Sequence, residues 1–305
     1  MGIRNFLWLM LLAVLWGPSF LFIKVAVGEI PPFTLVAGRV GLAAVLLYLI
    51  LRLQRRALPR FGRIWLHFAV VGFFSNALPF TLFSWGEMHI DSALASILNG
   101  TTPLFTILLA HLLTSDDRLT PVKVMGSLLG FGGLVVLIAP SLLGGVRATT
   151  WGLIAATLAA ASYGVATVYT RKNLRGLPPL VGPTAQLLMA TLYILPLALL
   201  IEQPFRQPLP TWPALASLLA LSMVGTALAF VVYYYVIDRT SATYVSMVTY
   251  LVPVIGVALG IMVLNEKPAW NAYAGCALIL LGVMVVNGVF KALNWRRPAE
   301  AAVRP

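Results

Sequence analysis

The sequence predicts an all-α integral membrane protein with ten transmembrane helices, arranged as two inverted five-helix repeats. Three observations support this fold class: the composition, the spacing of the apolar runs, and landmarks that recur about 150 residues apart. Of the 305 residues, 60% are hydrophobic and 10% are charged, whereas soluble domains carry about 25% charged residues. The chain therefore has too few charged side chains to cover a water-exposed surface.

Apolar runs of about 20 residues recur along the chain, and each is long enough to cross a hydrocarbon core of about 30 Å. The first run, NFLWLMLLAVLW, resembles the core of a signal peptide, but no small-residue cleavage site follows it. We expect it to be retained as the first span. The predicted spans one to ten cover residues 5–27, 32–51, 64–84, 91–113, 120–140, 151–170, 179–201, 213–236, 241–264 and 268–290.

The distribution of basic residues predicts the orientation. With the N-terminus inside, sixteen of the 21 Lys and Arg residues fall on the inner side, and only Arg147, Arg206 and Lys267 fall outside. Cytoplasmic loops are enriched in Lys and Arg, so we predict that both termini are cytoplasmic. The net charge of +12 is then a topology signal, because these charges form no clustered basic face of the kind that binds nucleic acid.

The two halves of the chain share landmarks at a nearly constant separation. WGPSFLFIK (16–24) aligns with YGVATVYTR (163–171) at a shift of 147. The same shift matches Pro79 with Thr226 and Phe83 with Phe230, and a three-residue adjustment then matches Pro103 with Pro253. The alternatives are an inert duplicated scaffold and a chance alignment of apolar segments.

Each repeat holds five spans, so the second repeat crosses the membrane in the opposite sense to the first. We predict repeats at 1–147 and 148–290, followed by a cytoplasmic tail at 291–305. Inverted repeats are typical of secondary transporters, whose substrate site lies near the midplane between the repeats.

Several motifs carry a resemblance to a known family. They are WGPSFLFIK, the Pro31-Pro32 pair, Arg39, the mid-span Pro103 and Pro253, and LNEKP at 264–268. With these motifs the chain resembles the EamA type of the drug/metabolite transporter superfamily, and within it the YddG-like amino-acid exporters. The resemblance implies a central cavity lined by spans one, three, four, six, eight and nine, with spans five and ten outside it.

Polar residues near the midplane predict a substrate cavity. In span four, Ser92, Ser96, Asn99 and Pro103 share one helical face. A mid-span proline leaves a backbone carbonyl without its usual donor, and such backbone is tolerated at this depth only inside protein or beside a wet cavity. The alternative role for the small polar residues is close helix packing.

The predicted cavity residues are polar or aromatic positions in the two repeats: Trp16, Asn76, Phe80, Phe83, Ser96, Asn99, Thr101, Tyr163, Phe230, Ser246, Thr249 and Tyr250. The predicted hinges are Pro79, Pro103 and Pro253. Aromatic walls with a few polar groups suit an amphipathic small molecule.

Two cations within spans are possible charge sites. Lys24 lies near the outer end of span one, where its side chain can reach the interface. Arg39 lies about 10 Å into span two at 1.5 Å per residue. Two roles stay open for Arg39: a structural one, bonding helix ends or loop acids such as Glu87 or Asp91, and binding of a substrate carboxylate.

The positions of the acidic residues and the lack of catalytic motifs limit the mechanisms that the sequence allows. No span centre carries a carboxylate of the kind used as a proton relay, so we expect facilitated diffusion or exchange. The chain has no phosphate-binding loop, and its three histidines lack metal-ligand spacing. We therefore expect no enzyme activity, no cofactor and no metal, and we expect the single cysteine, Cys276, to serve packing.

These predictions together describe a secondary transporter in a bacterial inner membrane that exports small metabolites, most of all aromatic and other amino acids, by alternating access. Its expected partners are a small-molecule substrate and the lipid bilayer. A drug or nucleotide-sugar carrier on the same fold is the alternative, followed by a non-transporting membrane sensor or enzyme.

Overall fold

The computed structural model describes residues 3–143, 149–255 and 270–286, and within these ranges every regular element is helical. The α-helices are α1 (Ile3–Trp16), α2 (Ser19–Val27), α3 (Pro32–Leu53), α4 (Arg63–Gly72), α5 (Leu78–Gly86), α6 (Ser92–Asn99), α7 (Thr102–Leu113), α8 (Pro121–Leu143), α9 (Thr150–Asn173), α10 (Val181–Leu197), α11 (Trp212–Ser222), α12 (Ala229–Arg239), α13 (Ala242–Ser246), α14 (248–255) and α15 (Trp270–Val286). Three π-helical segments, Phe73–Ala77, Ala198–Glu202 and Met223–Leu228, and a short 3₁₀ helix, Pro204–Arg206, complete the described elements.

Seven helical segments are long and apolar enough to cross a membrane. They coincide with predicted spans one to four and six to eight: Arg4–Val27, Pro32–Leu53, Arg63–Gly86, Leu94–Leu113, Thr150–Asn173, Val181–Arg206 and Trp212–Arg239. Shorter apolar helices lie in predicted spans five, nine and ten: Pro121–Val136, Ala242–Ile255 and Tyr273–Val286. The LNEKP motif and the predicted cytoplasmic tail lie outside the described residues.

Two glutamates near span ends accept hydrogen bonds from backbone N–H groups at the starts of helices in the other half of the chain. The Glu202 carboxylate accepts hydrogen bonds from the backbone N–H groups of Phe33 (2.9 Å) and Thr34 (2.6 Å) at the start of α3. Glu29 accepts from the N–H of Thr211 (2.7 Å), which precedes α11. The hydrogen bonds from Thr211 lower the pKa of Glu29. Negative charge at a helix N-terminus is favourable, so these pairs tie the halves together.

Span four is broken in the middle. Its first part, α6, ends at Asn99, and α7 begins at Thr102 with Pro103 as its second residue. Proline has no N–H to continue the helical ladder and clashes with the carbonyl four residues earlier, which is why the break lies just before it. A Cβ at Gly100 would overlap the Leu134 side chain, so a glycine is needed where the break meets α8.

Spans three and eight share a π-helical segment at related positions. The segments begin at Phe73 and Met223, which are 150 residues apart. In span three the Leu78 N–H bonds the carbonyl five residues earlier, at Phe73. The next such donor would be Pro79, which has no N–H, and the Phe74 carbonyl accepts instead from Ser162 Oγ at 2.7 Å.

This register changes one part of the predicted repeat. At the shift of 150 set by the two π-helical segments, Asn76 matches Thr226 and Phe80 matches Phe230. The shift of 147 that the sequence predicts for these spans, which matched Pro79 with Thr226, is therefore three residues out of register here. Because both spans contain a π-helical segment, the three-residue difference arises earlier, between the second and third predicted spans of each half.

The helices of spans five and ten pack closely through glycines. A Cβ on Gly126 of α8 would come within 2.9 Å of the Gly282 carbonyl oxygen, and one on Gly133 within 2.8 Å of the Gly275 carbonyl oxygen. Small residues allow two membrane helices to approach backbone to backbone. These glycines therefore let α8 and α15 approach each other closely, and Asn271 of α15 adds a hydrogen bond to the Val136 carbonyl of α8.

Candidate functional site

A cavity with about 770 Å³ of space between its atoms lies among the helices of spans one to four, six, eight and nine. Its lining comes from spans one, three, four, six, eight and nine, the six that the family resemblance implies, together with Arg39 of span two. No described residue of α8 or α15 lines it. The lining therefore includes residues of span four, which is broken, and of spans three and eight, which contain π-helical segments.

Aromatic rings form much of the wall. Phe83 stacks on Tyr163 with 6.0 Å between ring centroids, and Phe20 meets Phe83 edge to face at 5.5 Å. On the other side Phe230 lies 6.1 Å from Trp16 and 6.5 Å from Phe80. Edge-to-face and offset stacked pairs of this kind hold one another in place. The result is a rigid apolar wall suited to an aromatic or aliphatic group.

Arg39 is the cation of the cavity. Its side chain is 4% exposed, its guanidinium carbon lies 3.7 Å from the centroid of the Phe80 ring, and its Nε donates to Thr226 Oγ1 at 2.8 Å. No ion pair joins Arg39 to a carboxylate of the described chain, including the Glu87 that the sequence suggested as a partner. Stacking and a single hydrogen bond thus orient a buried charge that lines empty space.

Two polar atoms on the break of span four also lack partners. Asn99 Oδ1 and Thr102 Oγ1 are buried, and no donor or acceptor within the described ranges contacts them. Both residues line the cavity. Buried polar atoms are normally hydrogen-bonded, so unpartnered ones beside a cavity are positioned to contact a ligand.

Lys24 and Glu87 lie together at one end of the cavity. Lys24 Nζ donates to the backbone carbonyl oxygens of Glu87 at 2.6 Å and Ile90 at 3.2 Å. Ile23 and Phe83, the cavity-lining residues nearest to them in sequence, mark this end of the space. Lys24 therefore holds α2 against the turn between α5 and α6 and does not line the cavity.

The cavity lining includes eight of the twelve predicted cavity residues: Trp16, Phe80, Phe83, Asn99, Tyr163, Phe230, Ser246 and Thr249. The other four are placed elsewhere. Asn76 is fully buried and its Oδ1 accepts from Gln186 Nε2 at 2.6 Å, while Tyr250 packs on α8 and donates to the Ser127 carbonyl at 2.9 Å. Thr101 bonds the Leu98 carbonyl in its own turn, and Ser96 lies one turn before the lining.

The predicted hinge prolines occupy three different settings. Pro103 directly follows the break of span four, and Pro79 directly follows the π-helical segment of span three. Pro253 lies inside α14, and the corresponding break is at Met247, six residues earlier. In span nine the helix is thus interrupted away from the proline.

Sequence reasoning missed several lining residues, among them Phe20, Ile23, Thr167 and Tyr233. Each lies three to seven residues from a residue that was predicted, on the same helical face. A search one or two helical turns beyond Trp16, Tyr163 and Phe230 would have found them.

Comparisons with known proteins agree with this architecture. The model of the EamA-like transporter family matches the chain twice, over residues 4–139 and 150–288. A solved crystal structure superimposes with a TM-score of 0.77 at 21% identity, covering 96% of this chain and 99% of the other. That similarity concerns the fold.

Relatives of similar length carry transporter names. The "Probable terminal-alkyne amino-acid exporter" of Streptantibioticus cattleyicolor is 28% identical over the full length of both chains. The "Uncharacterized transporter YoaV" of Bacillus subtilis is 25% identical over 91% of this chain and 94% of its own. The "Uncharacterized inner membrane transporter YedA" of Escherichia coli is 24% identical over 90% and 88%. With a family model covering nearly all of its length, this multi-pass membrane protein belongs to the EamA-like transporter family.

Proposed function

We propose that this protein exports amino acids, aromatic ones among them, across a bacterial inner membrane as a secondary transporter. The observation that carries the proposal is the pairing of one buried guanidinium, Arg39, with an aromatic wall in one cavity. The relative named as an amino-acid exporter supports the substrate class, and the one named as an inner membrane transporter supports the location.

The proposal assigns the substrate carboxylate to Arg39. A guanidinium presents several N–H donors in a planar fork that matches a carboxylate. Arg39 uses its Nε on Thr226, and its guanidinium lies over the Phe80 ring at the cavity surface. A nucleotide sugar would bring two phosphates, and the described part of the cavity offers only this cation to neutralise them.

The cavity also contains groups that can contact the ammonium group and the side chain of an amino acid. Asn99 Oδ1 is an unpartnered acceptor and Thr102 Oγ1 an unpartnered hydroxyl oxygen, so both can accept from an ammonium. The rings of Phe83 and Tyr163 offer a flat apolar surface to a side chain. The site as a whole therefore suits a zwitterion with an apolar side chain.

The proposed mechanism is alternating access between two inverted repeats, 1–147 and 148–290, with ten spans, a tail at 291–305 and both termini in the cytoplasm. The two matches of the family model and the paired π-helical segments support a duplicated architecture. No ATP hydrolysis by this chain is part of the mechanism, because the sequence has no phosphate-binding loop.

The hinge role is proposed for the breaks of spans four and nine. Pro103→Ala, at the break, is expected to change the transport rate severalfold with little effect on expression, because Ala restores a backbone donor. Pro253→Ala, inside α14, is the matched control and is expected to change the rate less. Unchanged rates in both variants would argue against the hinge.

The test of the function is a counterflow panel in proteoliposomes. Vesicles loaded with unlabelled phenylalanine, alanine, a quaternary ammonium drug or a nucleotide sugar are challenged with the labelled compound. We expect accumulation of the amino acids above protein-free vesicles. Accumulation of the drug or the nucleotide sugar alone would show that this compound, and not an amino acid, represents the substrate class. The absence of counterflow for every compound would contradict the transport proposal.

A further inference from the structure

Glu87 is a buried acid that the sequence placed outside the spans. It directly follows the third membrane-crossing segment, Arg63–Gly86, and its residue is 0% exposed. Neither of its carboxyl oxygens has a hydrogen-bond partner among the described residues. An ionised carboxylate in such a place has lost its water without gaining a donor, which strongly favours the protonated form.

The position of Glu87 connects it with the cavity. It lies one helical turn beyond Phe83, whose carbonyl accepts from the Glu87 N–H at 2.8 Å and whose ring lines the cavity. The amine of Lys24 bonds the backbone carbonyl of Glu87, so α2 and the turn after α5 meet directly at this residue. Glu87 is therefore buried where α2 meets the turn after α5, beside the end of the cavity marked by Ile23 and Phe83.

The positive charges that act on Glu87 are Lys24 on α2 and Arg39 on α3. His89 and Asp91 lie in the turn that follows it, and Tyr163 of α9 stacks on Phe83, one turn before it. Burial raises the pKa of Glu87 to about 9, and the positive charges of Lys24 and Arg39 oppose that rise. The two cations make ionisation possible once water reaches the carboxyl group.

We propose that Glu87 is a proton-binding site of this transporter: closing this end of the cavity over Glu87 takes up one proton, and opening releases it. The sequence predicts that this end faces the outside. The inference rests on the proposed function in one respect, namely that the cavity opens here during transport. It departs from the expectation of proton-independent transport, which considered only carboxylates at span centres.

The sign of the pH dependence follows from linkage. A water-exposed glutamate has a pKa of about 4.3, and the buried one has a pKa of about 9. Between these two values the closed state binds one proton more than the open state, so the closed-to-open ratio falls about tenfold for each pH unit of increase. Acid outside the cell favours closure, and alkali favours opening.

Infrared spectroscopy of the full chain in nanodiscs tests the proton directly. The spectrum of the wild type minus that of Glu87→Gln is expected to show the carbonyl band of a protonated carboxylic acid at pH 7, lost as the pH rises above 9. Glu29→Gln is the matched control, because Glu29 is an exposed loop acid on the same predicted side. A difference spectrum without that band at pH 7 would overturn the proposal.

Cysteine accessibility in intact cells tests the coupling to closure. In a Cys276→Ser background, Ile23→Cys at the cavity end is labelled from outside with a membrane-impermeant maleimide. The rate is divided by that of Leu209→Cys, which lies in a loop and is 95% exposed. We expect this ratio to rise with external pH, to stay low in Glu87→Gln, and to regain its pH dependence in Glu87→Asp. The same pH dependence in Glu87→Gln and the wild type would overturn the proposal.

Neither measurement needs a substrate, so the two proposals fail separately. Counterflow of amino acids without the Glu87 signals would leave the proposed function standing and remove the proton site. The Glu87 signals without counterflow would leave the proton site standing and remove the proposed substrate transport.

Discussion

Two contacts of the same kind join the halves of the molecule, and they differ in one charge. Arg39 Nε donates to Thr226 Oγ1 at 2.8 Å, and Gln186 Nε2 donates to Asn76 Oδ1 at 2.6 Å. Arg39 and Gln186 are 147 residues apart, and Asn76 and Thr226 are 150 apart. Each contact connects the second span of one repeat to the π-helical segment in the third span of the other.

The neutral contact lies away from the cavity, whereas the charged one borders it. Gln186 is 0% exposed, and its Oε1 also accepts from Tyr234 OH at 2.8 Å, so its amide is held on both sides. Among the described residues Arg39 has one hydrogen bond, from its Nε to Thr226 Oγ1, and its guanidinium borders the cavity. The comparison indicates that the neutral contact serves packing, and under the proposed function the charged one binds the ligand.

Arg39→Gln makes the two contacts alike and is expected to have the largest effect. A charge-assisted hydrogen bond contributes about 1.5–3 kcal/mol, which corresponds to roughly a tenfold to hundredfold loss of affinity for a carboxylate substrate. Half-saturation in amino-acid counterflow measures it, and Arg39→Lys, which keeps the charge, is expected to retain part of the affinity. An equal loss for the methyl ester of the same amino acid would show that the guanidinium does not bind the carboxylate.

Gln186→Leu tests the neutral contact and is expected to lower stability. It leaves Asn76 Oδ1 and Tyr234 OH buried without their partner, at a cost of about 1–3 kcal/mol. Thermal unfolding in detergent should shift down, with substrate affinity unchanged. The double variant Asn76→Leu/Gln186→Leu is the control and should lose less than the two single variants together, because it removes both members of the pair. A change in affinity larger than the change in stability would show that the neutral contact serves substrate binding instead of packing.

A smaller effect is expected where side chains bond the π-helical carbonyls. Trp16 Nε1 donates to the Gly225 carbonyl at 3.0 Å, and Ser162 Oγ to the Phe74 carbonyl at 2.7 Å. Removing either bond, by Trp16→Phe or Ser162→Ala, should cost about 1 kcal/mol of stability. Trp16 lines the cavity and Ser162 does not, so only Trp16→Phe should also change the transport rate. Paired stability and counterflow measurements decide this, and an equal change of rate in both variants would contradict it.

Much of the fold could be predicted from the sequence. Apolar runs long enough for a bilayer gave seven of the predicted spans directly, because length and hydropathy are properties of the chain itself. Trp16 and Tyr163, and Asn99 in the polar stretch before Pro103, were found as candidate cavity residues for the same reason: a polar or aromatic group in a mid-span position is visible in the residue pattern.

The orientation of side chains in the π-helical spans could not be predicted. A π-helical turn contains an extra residue and rotates the helical face that follows it, and Asn76, which lies in such a turn, faces Gln186 instead of the cavity. Tyr250 differs for another reason, since it packs into the space left by Gly130 of α8. Neither effect appears in the spacing of residues within a single span.

The sequence by itself determined the class of this protein, because a bilayer accepts only long apolar helices and the basic residues between them predict their orientation. The tertiary structure decided which polar groups are satisfied and which are not. Arg39 and Gln186 occupy related positions, yet only the packing around them leaves one beside a cavity. Glu87 lies in a loop by sequence and is fully buried in the fold, because burial depends on what other helices bring to a residue.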